Sequence, residues 1–308
     1  MINENSISVS NLTKMYGKTM AVNNVSFEAG YGEIFGLIGP DGAGKTTIFK
    51  ILSTLLSPKE GKVLVAGYDV VKEYKTIRNI IGYMPGKSSL YGDLSITEHL
   101  EFFASLFKSD LNESYSLIEP IYKQLEPFKN RQAGKLSGGM KQKLALCCAL
   151  IHRPKILFLD EPTTGVDAVS RKEFWDLLKN FKDKGLSIMV STPYMDEAGK
   201  CDRIGLIHNG SILDIDTPEG IKKHYTETLY AIKCDKMYEA LKAARECSNV
   251  KVCYISGNNH HIVANDNFSP EIFIKEMENK GLSNIKIDRI SADIEDVFIN
   301  LMGGKSNA

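Results

Sequence analysis

The sequence predicts an α/β fold in which helices cover a mostly parallel sheet, with a helical insertion and a smaller α+β domain behind it. Three observations carry that expectation. Apolar runs of strand length alternate with helical periodicity through most of residues 7–217, the stretch 97–153 is helical in period, and a second alternation follows the turn cluster Thr217-Pro218-Glu219-Gly220.

β-type runs at 7–12 and 21–27 open the chain, and the apolar run 34–38 reads as a buried strand. A glycine-rich turn leads into a helix over 45–56 that stops before Pro58, with strand-like pieces at 62–66 and 80–84 behind it. In the insertion, Leu100, Phe103, Ala104 and Phe107 share one helical face, and Leu144, Leu146 and Leu150 belong to a later helix. Strand 155–159, helix 171–182, strand 187–191 and short strands at 203–208 and 211–214 complete a first domain, 1–217, whose helical part is about 87–153. The second domain, 218–308, reads βαββαβ, with strands at 228–234, 250–255, 261–264 and 285–289 and helices at 236–246 and 270–280. That order suits a ferredoxin-like domain, and a last helix over 294–302 ends at Gly303-Gly304.

The composition excludes several classes. With 43% hydrophobic and 25% charged residues, 308 residues are enough for one large core and a small one, and disordered or fibrous readings fail. Thirty-eight basic residues balance thirty-eight acidic ones, so no overall field draws the chain to nucleic acid, and no nucleic-acid partner is expected. Residues 1–11 are polar, unlike a signal peptide, and no apolar stretch approaches the length of a membrane span, so a cytoplasmic location is expected. The six cysteines form no Cys-x-x-Cys pair and read as buried, reduced thiols.

The strongest chemical signal is Gly39-Pro40-Asp41-Gly42-Ala43-Gly44-Lys45-Thr46-Thr47, a Gly-x4-Gly-Lys-Thr loop between a strand and a helix. Glycines let successive N–H groups turn inward onto phosphate oxygens, and the helix start adds its positive dipole end. In such a loop Lys45 bridges the β- and γ-phosphates and Thr46 ligates Mg²⁺. The alternative is a plain tight strand-to-helix turn, and the flanking strand and helix weigh against it. The apolar run 156–159 then ends in Asp160 and Glu161, which suit a water-mediated Mg²⁺ ligand and a general base for the attacking water. Between the two lies Leu136-Ser137-Gly138-Gly139-Met140-Lys141-Gln142 at a helix start, where Ser137 and the following N–H groups make a second anion site.

With these three motifs in this order, residues 7–217 resemble the ATP-binding subunits of ABC transporters, whose signature sequence is the third motif. The resemblance implies a P-loop NTPase core of mostly parallel sheet, an antiparallel β subdomain and the helical insertion. It implies ATP and Mg²⁺ as ligand and cofactor, Glu161 as catalytic base, and Thr46 and Asp160 at the metal. It also implies a head-to-tail dimer in which Leu136, Ser137, Gly138, Gly139, Met140 and Gln142 close over ATP held by the other nucleotide-binding domain. Tyr16 matches the aromatic that stacks on adenine, Val22 lines the same face, and Gly165 and Asp167 match the loop coupling the two sites. Transmembrane permease subunits are the further partners, placing the chain on the cytoplasmic face of a membrane.

Two positions depart from the family. After Ile81-Gly82-Tyr83-Met84-Pro85 the family has Gln and this chain has Gly86, with Lys87, Ser88 and Ser89 as candidate replacements. After Ser191-Thr192 the family has the switch His and this chain has Pro193, which offers no donor. His152 and His208 lie on other elements. ATP-Mg²⁺ binding is expected to survive and hydrolysis to slow, either in an asymmetric dimer with a more complete partner or in a homodimer that uses another arrangement.

The segment 294–301 resembles the ending of drug and polysaccharide exporters, although an amphipathic helix packing Ile294, Val297, Phe298 and Leu301 explains it as simply. Rival readings are an importer subunit with a ligand-sensing tail and a nonhydrolytic ATP-binding partner. No metal beyond nucleotide-bound Mg²⁺ is expected: His260 and His261, adjacent in a strand, point to opposite faces and read as surface residues.

Overall fold

The computed structural model describes residues 5–86 and 90–303, and the chain divides into two compact units, Met1–Glu219 and Gly220–Ala308. In chain order the first carries β1 (Asn5–Tyr16), β2 (Thr19–Gly30), β3 (Ile34–Ile38), α1 (Lys45–Leu52), β4 (Glu60–Val65), β5 (Tyr68–Asp69), α2 (Tyr74–Ile80) and β6 (Ile81–Met84). The insertion supplies α3 (Ile96–Phe107), α4 (Leu111–Leu125) and α5 (Gly138–Leu150); β7 (Ile156–Asp160), α6 (Ala168–Asp183), β8 (Ser187–Thr192), β9 (Arg203–His208) and β10 (Ser211–Asp216) follow.

The central sheet runs β10-β9-β3-β8-β7-β6, parallel except for the β9–β10 pair. Strands β3 and β7 are buried at every residue, as a parallel strand covered on both faces must be. A second sheet, β2-β1-β4-β5, is antiparallel and shares the same core, where Phe27 of β2 stacks on Phe35 of β3 with centroids 5.4 Å apart. Phe49 of α1 meets Phe158 of β7 edge-on at 6.2 Å, so α1 is seated on the sheet by aromatic packing.

Sequence and structure differ at some element ends for local reasons. Helix α1 stops at Leu52 rather than residue 56, because the Ser53 hydroxyl donates to the Phe49 carbonyl at 2.8 Å and Thr54 turns left-handed at φ +62°. Helix α6 starts three residues earlier than expected, since the Asp167 carboxylate accepts from the N–H groups of Val169 (3.1 Å) and Ser170 (2.9 Å). Helix α3 opens with a reciprocal capping box, in which Glu98 N–H donates to Ser95 Oγ and Ser95 N–H to the Glu98 carboxylate.

Helix α7 (Pro218–Lys223) occupies the turn cluster, and the second unit continues with β11 (Thr228–Lys233), α8 (Met237–Arg245), β12 (Val250–Ser256), β13 (Asn259–Ala264), α9 (Pro270–Asn279), β14 (Lys286–Ile290) and α10 (Ile294–Gly303). Its sheet order β12-β13-β11-β14, antiparallel throughout, is that of a ferredoxin-like βαββαβ domain. Residue 304 of the expected helix end lies outside the described residues. Strand β13 lies between β11 and β12, and its two histidines are not surface residues: His260 is 4% and His261 8% exposed. They do point to opposite faces, His260 Nε2 to the Met237 carbonyl (2.6 Å) and His261 Nδ1 to Asp296 of α10 (2.6 Å), because protein covers β13 on both sides.

All six cysteines are buried free thiols, and burial pushes Cys148 up to about 12. Among the described residues no helix is long and apolar enough to cross a membrane.

Candidate active site

The central sheet brings three strand ends to one edge. In its register Ile38 lies beside Thr192, and Asp160 beside Ser191, so the loop after β3 and the residues ending β7 and β8 share one crevice beyond the carboxyl ends of the strands. Gly39 continues β3, its N–H donating to the Thr192 carbonyl at 3.2 Å. A Cβ on Gly39 would run into the Ile207 carbonyl, and one on Gly44 would lie 2.5 Å from the Ala21 carbonyl at a φ of +103°. Only glycine lets this loop close against its neighbours. Within the loop Ala43 N–H donates to the Pro40 carbonyl, and Ala43 is buried, whereas Asp41 and Gly42 are exposed and Thr47 is half-buried.

Lys45, only 2% exposed, donates to the carbonyls of Gly39 (2.8 Å) and Pro40 (3.0 Å), and its Nζ lies 3.1 Å from Glu161 Oε1. Thr46 Oγ1 donates to Asp160 Oδ1 at 3.2 Å. Asp160, 1% exposed, also accepts from the Ser191 hydroxyl at 2.6 Å, and that hydroxyl accepts the Glu161 N–H at 2.9 Å. Glu161 takes the left-handed conformation, φ +51°, turning its side chain off the strand line toward Lys45. A buried carboxylate beside a threonine hydroxyl at a helix start is an all-oxygen donor set, so Thr46 and Asp160 would suit a hard Mg²⁺ ion. A cradle of N–H groups, a buried ammonium and two acids can hold a nucleoside triphosphate and polarise a water against it.

Tyr16 is 47% exposed, as a ring free to receive a base would be. Val22 does not share that exposed face: it is 0% exposed in the core, beside the crowded Gly44. Ser137 caps α5 through the Met140 N–H at 3.3 Å; Leu136 is buried, and Met140 and Gln142 are half-buried. Gly138 and Gly139 fit against the turn before α6 and the first turn of that helix: a Cβ on Gly138 would lie 3.3 Å from the Gly165 carbonyl, and one on Gly139 2.8 Å from Ser170 Oγ. No hydrogen bond among the described residues joins 136–142 to the phosphate loop, Asp160 or Glu161.

Gly86 sits beside the acids, where a Cβ would lie 3.0 Å from the Asp160 carbonyl; Lys87, Ser88 and Ser89 lie outside the described residues. Pro193 follows Thr192 directly, and His152 is spent elsewhere, its Nε2 2.8 Å from the Ile81 carbonyl and its ring stacked on Phe107. Sequence reasoning missed four polar residues around the site. Ser191 and Thr192 look like an ordinary strand end, Thr163 like a turn residue, and Glu197 like a solvated helix charge, yet Glu197 is 2% exposed and accepts from both threonines. A Ser-Thr pair closing a buried strand beside an Asp-Glu pair was the available signal. Next to β6, a cavity of about 340 Å³ is lined by Leu55, Arg78, Tyr83, Met84, Phe103 and His152.

Comparison with known proteins agrees with this geometry. Residues 22–164 match the ABC transporter family. A probable multidrug ABC transporter ATP-binding protein, YbhF of Escherichia coli, is 42% identical over 71% of this chain, which spans 38% of YbhF's length. Nod factor export ATP-binding protein I of Burkholderia orbicola is 32% identical over 96% of this chain and 97% of its own. Among solved structures, a dimeric bacterial ABC transporter cassette superposes with a TM-score of 0.62 at 27% identity, covering 68% of this chain and 98% of that one.

Proposed function

The chain belongs to the ATP-binding subunits of ABC transporters, which are ATPases, and from that premise we propose that it drives export through separate membrane subunits, with an ATP site of its own that turns over slowly. The observation that carries this reading is the convergence of Lys45, Thr46, Asp160 and Glu161 at one crevice. Residues 39–47 bind the triphosphate, with Lys45 exchanging its loop carbonyls for β- and γ-phosphate oxygens. Thr46 and Asp160 hold Mg²⁺, which neutralises charge on the phosphates when bound. Glu161 orients the attacking water and takes its proton, and Tyr16 stacks on the adenine.

Turnover is slow because two groups that act on the γ-phosphate in the family are absent. Gly86 has no amide to touch metal or water, and Pro193 has neither side-chain donor nor N–H. The signature Leu136–Gln142 is intact in sequence, and among the described residues no hydrogen bond ties it to its own phosphate loop, which supports a head-to-tail dimer in which it closes a second domain's ATP site. The dimeric state of the matched cassette supports the same arrangement.

Export rather than import is supported by the multidrug and Nod factor export relatives, the latter covering the C-terminal unit as well. The permease docks at the cavity between β6 and the helical insertion, whose rings and Arg78 suit an amphipathic segment, and this holds the subunit on the cytoplasmic membrane face.

The test is steady-state ATP hydrolysis with Mg²⁺ by the purified chain, against Lys45→Ala and Glu161→Gln, with nucleotide affinity measured alongside. Tight binding with little turnover is the expected result. Turnover of roughly one per second or faster, lost in both variants, would instead make the chain an active homodimeric motor that bypasses Gly86 and Pro193.

A further inference from the structure

We propose that Glu197 is a positioning residue for ATP hydrolysis, holding Glu161 in its left-handed conformation by tying the segment after β7 to the end of β8. The inference rests on the reading of the ATP site given above.

Glu197 lies in the short 3-10 turn Met195–Lys200 that follows β8, and its carboxylate is buried, 2% exposed. One oxygen accepts from the Thr163 hydroxyl at 2.7 Å and the other from the Thr192 hydroxyl at 2.5 Å. Arg171 of α6 brings its Nε to 3.8 Å, with its guanidinium 4.3 Å over the ring of Tyr194. A buried carboxylate is retained only where partners compensate its lost hydration, and all of these partners belong to the surroundings of the ATP site.

The geometry gives the carboxylate a task. Glu161 sits at φ +51°, a strained conformation for a residue with a side chain, and such strain persists only when held on both sides. On the N-terminal side its own N–H donates to Ser191 Oγ. On the C-terminal side the first side-chain anchor is Thr163, two residues on, and its anchor is Glu197. The same carboxylate holds Thr192, whose backbone carbonyl receives the N–H of Gly39 in the phosphate loop. One acid therefore sets the general base in register with the phosphate cradle. It also touches α6, whose first turn abuts signature residue Gly139.

The experiment uses the full chain, with single-turnover and steady-state hydrolysis of ATP-Mg²⁺, nucleotide affinity and thermal unfolding measured for wild type, Glu197→Ala, Glu197→Gln and Thr163→Val. Positioning of a general base predicts a fall in kcat of about tenfold or more for Glu197→Ala and Thr163→Val, with ATP affinity within about threefold of wild type. Glu197→Gln, which keeps the shape and part of the hydrogen bonding, should recover part of the loss. Unchanged kcat in Glu197→Ala and Thr163→Val overturns the inference and leaves the reading of the site standing. Parallel loss of kcat, affinity and melting temperature in both also overturns it, since that is the signature of a purely structural group. Wild-type chain with no hydrolysis even in a single turnover overturns the hydrolytic reading of the site, and this inference with it.

Discussion

Lys45 Nζ and Glu161 Oε1 lie 3.1 Å apart, the lysine side chain 2% and the glutamate 22% exposed. The ammonium is thus already desolvated and faces the space where phosphate oxygens belong. Lys45→Ala should weaken ATP binding by about 2–5 kcal/mol, roughly 30-fold to several thousand-fold, while the fold persists. Titration with a fluorescent ATP analogue, together with circular dichroism, checks both halves of that expectation.

Gly44 combines a φ of +103° with a neighbour, the Ala21 carbonyl, only 2.5 Å from any added Cβ. Gly44→Ala should therefore cost about 1–3 kcal/mol in strain, and overlap with the β1–β2 hairpin adds to it. Urea unfolding measures the loss, and nucleotide affinity should fall with it. Gly17 and Gly32, which meet nothing within 4 Å, are suitable comparison sites for the strain alone.

Replacing Gly86 by Gln supplies the family's amide but also places a Cβ 3.0 Å from the Asp160 carbonyl, tighter than nearly all real Cβ contacts. The loop must move before the amide can reach the metal. Turnover of Gly86→Gln is therefore expected not to rise above wild type, either alone or paired with Pro193→His, which leaves that contact in place. Steady-state ATPase assays of the single and double variants test the pairing.

Asp296, 1% exposed, accepts from Tyr254 Oη (2.7 Å), His261 Nδ1 (2.6 Å) and the Asp293 N–H (2.8 Å). Asp296→Ala strips the acceptor from all three and should destabilise the C-terminal unit by about 2–5 kcal/mol. Asp296→Asn should cost less. Urea denaturation of the full chain, followed by hydrogen exchange of residues 228–303, locates the loss.

Burial holds the pKa of His152 below the ordinary histidine value of 6.5. Between those two values the unfolded chain binds a proton that the folded chain refuses, so the contribution to stability is whole above pH 6.5 and is lost as pH falls through that window. Stability measured by urea unfolding from pH 8 to pH 5 should decline on the acid side, and His152→Gln should flatten that part of the decline.

The phosphate loop, the acidic pair and the signature were legible because each is a contiguous string whose chemistry depends on its own residue types. The strand 34–38 was legible because a strand buried on both faces must be uniformly apolar. Less legible were groups whose meaning depends on a distant partner. Glu197 reads as a surface charge until Thr163, 34 positions away, is set beside it, and Asp296 reads as the polar face of α10 until His261 arrives from β13. The burial of His261 is equally hidden, because alternation along a strand says which face a side chain points to and nothing about what covers that face.

The Ile207 carbonyl against Gly39, and the Thr192 carbonyl that accepts the Gly39 N–H, give the phosphate seat a history as well as a geometry. A nascent chain has made the whole loop by residue 47, yet β8 and β9, which flank β3 in the sheet, are encoded some 140 to 160 residues later. Such long-range pairing is slow to form, and until it does the loop has no walls. Polypeptides that terminate between residues 47 and 208 therefore carry the nucleotide motif without a complete seat for the nucleotide, and ATP cannot assist the folding of this domain until translation has passed β9.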